Sequence, residues 1–87
     1  MNDLAMEEVE VTGAHGLHAR PAAAFAERAA RFASSVTLAK DSREVDAKSV
    51  LLVLTLDVRQ GDRVVVSATG VDAMDAVREL TEVLRAP

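Results

Sequence analysis

The chain has 87 residues, 49% of them hydrophobic, and a formal net charge of −4. That length holds one small domain, whose core must come from Val, Leu and Ala because Phe25 and Phe32 are the only aromatic residues. The acidic balance, without aromatics interleaved among basic residues, disfavours a nucleic-acid partner; the lack of cysteine excludes disulfides and thiolate metal sites.

Residues 1–6 show no period and read as a loose leader, with neither a basic-then-apolar signal nor, anywhere in the chain, an apolar run of about 18 residues. The chain therefore reads as a cytoplasmic protein that enters no membrane. From Glu7 to Thr12, Val9 and Val11 alternate with polar residues, which predicts a strand. Gly13 to Gly16 is a loop whose glycines allow a close approach of backbone to ligand. Beyond it, Ala22, Phe25, Ala26, Ala29, Phe32 and Ala33 recur at helical spacing, so a helix is predicted from Ala19 to Ala33, with Glu27, Arg28 and Arg31 on its wet face. Pro21 suits the first turn, where a missing N–H costs no intrahelical bond.

Ser34 and Ser35 end that helix. Val36 to Lys40 is a second strand, turning at Asp41-Ser42-Arg43 and returning through Glu44-Val45-Asp46 as a short, charged edge. Ala47 to Leu56 is a short helix with Ser49 placed as its N-cap. Gln60-Gly61-Asp62 is a turn, Arg63 to Thr69 a β-branched central strand, and Gly70 a further turn. Asp72 is placed to cap a last helix with Ala73, Ala76, Val77, Leu80, Val83 and Leu84 on its apolar face. The order βαββαβα fits an α+β fold over residues 1–87: one four-stranded antiparallel sheet with three helices on one face.

His18 and Arg20 fall at the first turn of the first helix. Unpaired N–H groups and the helix dipole favour an anion there, and a guanidinium fork matches phosphate oxygens. A histidine is also a nucleophile near neutral pH, able to carry a group covalently. The plainer alternative is a solvated capping histidine beside an ordinary surface arginine. His15 and His18 lie three positions apart without carboxylates between them, which is a weak ligand set, so no metal is implied. In Val50-Leu51-Leu52-Val53-Leu54 a short helix can bury only one side; the rest is either an exposed partner surface or hidden by a bend or extension of the helix.

Gly16-Leu17-His18-Ala19-Arg20-Pro21-Ala22 resembles the active-site signature of HPr, the histidine phosphocarrier of the bacterial phosphoenolpyruvate-dependent sugar phosphotransferase system. Asp46-Ala47-Lys48-Ser49-Val50 is similar to the family's regulatory serine segment, and the resemblance runs from about Met6 to Leu84. It implies an open-faced β-sandwich. It also implies a cycle in which phospho-enzyme I loads Nδ1 of His18, and phospho-His18 passes the group to IIA domains. Arg20 and the backbone amides of Ala19 and Arg20 would neutralise the group. Ser49 would be the regulatory target of an HPr kinase/phosphorylase, and Val50, Leu51 and Leu54 would form part of the docking surface, with Val53 and Leu56 in the core. The implied protein is a monomeric carrier, not an enzyme, and needs no cofactor.

His15 stands where the family often has Asn. Leu56-Asp57, where sugar-type members usually have Leu-Gly, and Ala68-Thr69-Gly70 look more like NPr, the nitrogen-related paralogue, whereas Lys48-Ser49 looks more like the sugar type. A catabolite-repression paralogue without the active histidine does not fit His18. Two other classes remain: an enzyme using His18 for acid–base work, for which no carboxylate lies within the motif, and a regulatory binding module in which His18 stays unmodified.

Overall fold

In the computed structural model, which describes residues 3–86, strand β1 runs Asp3–Glu10. It pairs antiparallel with β4 (Arg63–Gly70) along its full length, from Asp3 opposite Gly70 to Glu10 opposite Arg63. Residues 3–6 are therefore sheet and not leader; residues 1 and 2 lie outside the described residues. The missed period has a simple cause. Leu4 and Met6 are exposed on the open face, where polar residues would have marked the alternation.

Helix α1 (Ala19–Ala30) leads to β2 (Ser35–Lys40), which forms a hairpin with β3 (Arg43–Asp46). Short helix α2 (Val50–Thr55), β4 and α3 (Ala73–Arg85) complete the order βαββαβα. The sheet is antiparallel throughout, in the order β1-β4-β2-β3, so the Val-rich β4 is central as its composition predicts. Its inward residues Val64, Val66 and Ala68 join Val9, Val36 and Leu38 from the neighbouring strands. Phe25 and Ala29 from α1, Val53 from α2, and Ala76 and Leu80 from α3 close the core over that one face. Ala22, Ala26 and Ala29 on α1 and Ala73 and Ala76 on α3 fill the buried faces between the larger Phe25 and Leu80.

Helix α1 ends at Ala30, three residues before the predicted end. The chain leaves it through Arg31 and Phe32, whose amides still reach back to Arg28 and Ala29, and the next two amides find a different acceptor. Both oxygens of the Asp72 carboxylate are used: Ala33 N–H and Ser34 N–H each donate to it at 2.9 Å, and the Ser34 hydroxyl donates as well. Asp72 does occupy the N-cap position of α3, but its side chain makes no capping bond to that helix. It satisfies the end of α1 instead. Gly70 is the last residue of β4, not a turn, and a Cβ there would come within 2.7 Å of Ser34 Cα.

Donors from Ser34, first, and Ala33 hold the Asp72 carboxyl below the ordinary aspartate value of 3.8. A depressed folded value means a contribution fully present above about 3.8 and lost as pH falls through the lower folded value. Asp72→Asn should therefore unfold at lower urea than the parent at neutral pH, with the gap narrowing in strong acid. Urea titrations at neutral and acid pH measure this, and an equal gap at both would remove Asp72 from the acid response.

Candidate functional site

Two loops build the site. Residues 13–18 deliver the N-terminus of α1, and residues 57–62 form the wall beside it. They are tied by Leu17 N–H donating to Val58 O at 2.9 Å, Val11 N–H to Asp62 O at 2.8 Å and Gly61 N–H to Val11 O at 2.7 Å. Gly16 makes the approach possible. Its φ of +56° lies in the left-handed region, and a Cβ would lie 2.8 Å from Arg59 Cα. Leu17 is buried next to the helix start, as is Ala22 one turn on, which fixes the angle at which the chain enters α1.

His18 is the N-cap residue of α1, in extended conformation, with its side chain making no capping bond. The imidazole is thus free of backbone duty, and the side chain is 53% exposed. Ala19 follows at φ +40°, an arrangement that costs an L-residue roughly 1–2 kcal/mol. His18, Ala19, Arg20 and Pro21 line one open hollow together with His15 and Ala24. Arg20 is exposed and, among the described residues, pairs with no carboxylate. An anion at the mouth of α1 would meet the helix amides and an uncommitted guanidinium, the chemistry that phosphate requires. His15 also borders a second hollow on the other side of His18, with Arg59 and Gln60.

The structure adds a residue that the sequence motif lacks. Asp57 Oδ1 lies 3.5 Å from His18 Nε2. Its other oxygen accepts from Arg59 Nε at 3.1 Å and Nη2 at 2.8 Å. The Arg59 hydrogen bond, foremost, with smaller help from His18 and Lys40, holds the Asp57 carboxyl below the ordinary aspartate value. Asp57 occupies φ +50°, where glycine is at ease, so the Leu-Gly that the resemblance leads one to expect here would fit this backbone. The sequence flagged Asp57 as a departure from that pattern. Its approach to His18, across two loops far apart in the chain, has no periodic signature.

Each residue of the second motif has a separate task. The Asp46 side chain accepts from Lys48 N–H at 2.9 Å, an Asx-type turn, and Ala47 is fully buried. Lys48 Nζ donates to Phe32 O at 2.9 Å, tying the exit of α1 to the entry of α2. Ser49 caps α2 as predicted, its hydroxyl accepting from Leu52 N–H at 3.2 Å. Beyond it Val50 (36%), Leu51 (76%) and Leu52 (43%) are exposed, and Val53 and Leu56 are buried. Leu54 differs from expectation: it packs half-buried against the core. Leu52 takes its place on the surface, because on a six-residue helix the core-facing stripe carries Val53 with Leu54 and not Leu52.

Among the described residues no three His, Cys, Asp or Glu side chains are grouped to hold a metal ion, and no helix is long and apolar enough to cross a membrane.

This architecture and histidine-headed helix define a known class. Residues 5–86 match the family model described as the PTS HPr component phosphorylation site. The chain is 36% identical over 77 residues to the phosphocarrier protein HPr of Buchnera aphidicola, covering 88% of this chain and 91% of that one. It is 42% identical over 77 residues to the HPr-like protein Crh of Bacillus subtilis, with the same coverage. A crystal structure of HPr from Bacillus anthracis superposes with a TM-score of 0.93 at 32% identity, covering 94% of this chain and 98% of that one. The chain belongs to the HPr family. That membership supports a phosphocarrier role in the phosphotransferase system, the role of a carrier protein rather than a catalyst.

Gly16→Ala should destabilise the fold by more than ~1 kcal/mol, since both the left-handed backbone and the Arg59 contact forbid a methyl group. Chemical denaturation measures the loss; a variant as stable as the parent would show that the two loops are not held in this register.

Proposed function

We propose that the chain accepts a phosphoryl group on His18 from phospho-enzyme I and donates it to a IIA domain. The observation that carries this reading is the half-exposed imidazole at the mouth of α1, unused as a cap and sharing an open hollow with an uncommitted Arg20. Transfer between two proteins requires that the ring be reached in line by a partner's own donor or acceptor, which a buried ring would prevent. As phosphorus arrives, its bond to the donor breaks and a bond to Nδ1 of His18 forms. The amides of Ala19 and Arg20 and the Arg20 guanidinium then face the dianionic group. The exposed Val50, Leu51 and Leu52 supply an apolar docking collar; Leu54 supports it from below.

Ser49 is the proposed regulatory site, acted on by an HPr kinase/phosphorylase. Its hydroxyl heads α2 and is partly exposed, and a phosphate there would add negative charge beside the apolar collar. On this reading residues 1–87 work as one domain, as a monomer in the cytoplasm, with no cofactor. Passage of the group to a sugar-permease IIA, as opposed to a nitrogen-type IIA, separates the two branches of the family.

Incubation with phosphoenolpyruvate and enzyme I should add one acid-labile, base-stable phosphate per chain. His18→Ala should abolish uptake with the fold intact by circular dichroism; an alanine variant that still took up phosphate would refute the assignment. Arg20→Ala should slow transfer about tenfold or more, as loss of one positioned charge does, and an unchanged rate would exclude Arg20 from the step. Ser49→Asp should weaken binding to enzyme I, and equal affinity in a titration would argue against regulation at this serine.

A further inference from the structure

His15 has no part in the transfer scheme above, yet it borders the imidazole of His18 on two sides. It lines the open hollow that holds His18 and Arg20, and it lines the second hollow with His18, Arg59 and Gln60. A phosphoryl group carried on either open edge of the His18 ring therefore lies beside His15. The backbone keeps it there. Gly16 N–H donates to Gly13 O at 3.1 Å, so Ala14 and His15 are the central residues of a tight turn, and Leu17 just beyond is anchored to Val58 O at 2.9 Å. The side chain itself is uncommitted: it is exposed and, among the described residues, makes no hydrogen bond and no ion pair. The titratable and charged groups that face it are His18, Arg20 from the start of α1 and Arg59 from the loop after α2. The end of α3 contributes only Val83, Leu84 and Ala86. The nearby carboxylates are engaged elsewhere, Asp57 with His18 and Arg59 and Asp62 with Lys40. Cations and apolar side chains offer an imidazolium at position 15 nothing to pair with; a dianion on His18 does.

We propose that His15 makes the hold on the phosphoryl group depend on pH: it takes a proton from solvent as the group settles on His18, and its imidazolium then clasps the phosphoryl oxygens together with Arg20. The inference rests on the carrier reading of His18. The covalent step itself is unchanged. The bond from His18 to phosphorus forms as the bond to the donor breaks, the electron pair leaves with the donor, and no bond from His15 to phosphorus is made. His15 contributes an N–H and a positive charge, and returns its proton to solvent when the group moves on. A neutral imidazole also has one N–H to donate, but a donor that carries charge makes a contact roughly twice as strong to an anionic oxygen. A protonated His15 thus favours the loaded state, so its advantage is greatest at low pH and fades as pH rises through the histidine range. The asparagine that the family often has here can donate to an oxygen but cannot change its charge. The pH response belongs to this chain's histidine.

The test measures the equilibrium of phosphoryl exchange between enzyme I and the carrier from about pH 5.5 to about pH 8.5, a range that spans the charge change of a histidine, for the parent, His15→Asn and His15→Lys. An equilibrium constant is blind to how tightly the two proteins dock. The titrations of enzyme I, of His18 and of the phosphoryl group are common to all three chains, so a ratio between chains isolates position 15. The ratio of parent to His15→Asn should favour the loaded parent about tenfold more at the acid end than at the alkaline end, the scale of one charge-assisted contact. His15→Lys, charged throughout, should match the parent at the acid end and exceed it about tenfold at the alkaline end. Phosphoramidate, a small donor that needs no partner protein, loads the same chains in parallel, and nuclear magnetic resonance should find phosphorus on the ring of His18 alone. Ratios that stay level across the range would overturn the role of His15 and leave the carrier intact. Phosphorus on His15 would overturn it as well, since a ring that carries the group cannot clasp it. Failure of both donors to load the parent would overturn the carrier reading and this one together.

Discussion

The structure depends on the close contact between the loop that enters α1 and the segment after α2. Leu17 N–H on Val58 O, with Gly16 pressed against the same backbone, holds the two loops edge to edge. Every feature of the site follows from that register. His18 is set at the helix mouth because Leu17 is anchored one residue earlier. Asp57 and Arg59 reach it because they flank the anchoring carbonyl. A side chain at position 16 would part the loops, and with them the imidazole and its acidic neighbour.

The electrostatics are local and nearly self-compensating. In a chain of net charge −4, Lys40, Arg59, Asp57 and Asp62 form a closed set of opposite charges behind the imidazole. Arg20 stands on the open side without a carboxylate partner among the described residues. The wall thus spends its charges on rigidity, whereas the solvent side keeps one cation uncommitted for an arriving anion. Exposed pairs of this kind add little to stability, and their value here is in fixing where Asp57 points.

How far the sequence could be read follows from which interactions are local. The strands and helices announce themselves because Val36 and Leu38, or Ala22, Phe25 and Ala29, repeat with the period of their own element. Ser49 is legible as a cap because its partner, Leu52 N–H, is three residues away. Asp72 misleads for the same reason: it stands where a cap belongs, but its acceptors serve Ala33 and Ser34, from an element that no local pattern links to it. Leu54 turns inward, and Leu52, assigned no role from the sequence, lies outward, because the rotation of a six-residue helix is set by what lies beneath it. Asp57 is an extreme case. Resemblance marks it as a departure, and only the fold brings it to the ring.

The pairing of β1 with β4 also dictates the order of assembly. The first strand made has no partner until residues 63–70 exist, and β2 also waits for β4, so the local hairpin of β2 and β3 is the only sheet pairing open to a growing chain. Ribosome-bound chains can therefore collect helices and one hairpin but no complete sheet. Closure is a late, long-range event, and its rate is governed by the cost of bringing distant segments together. During that interval Val9, which the finished fold buries, has no sheet to lie against.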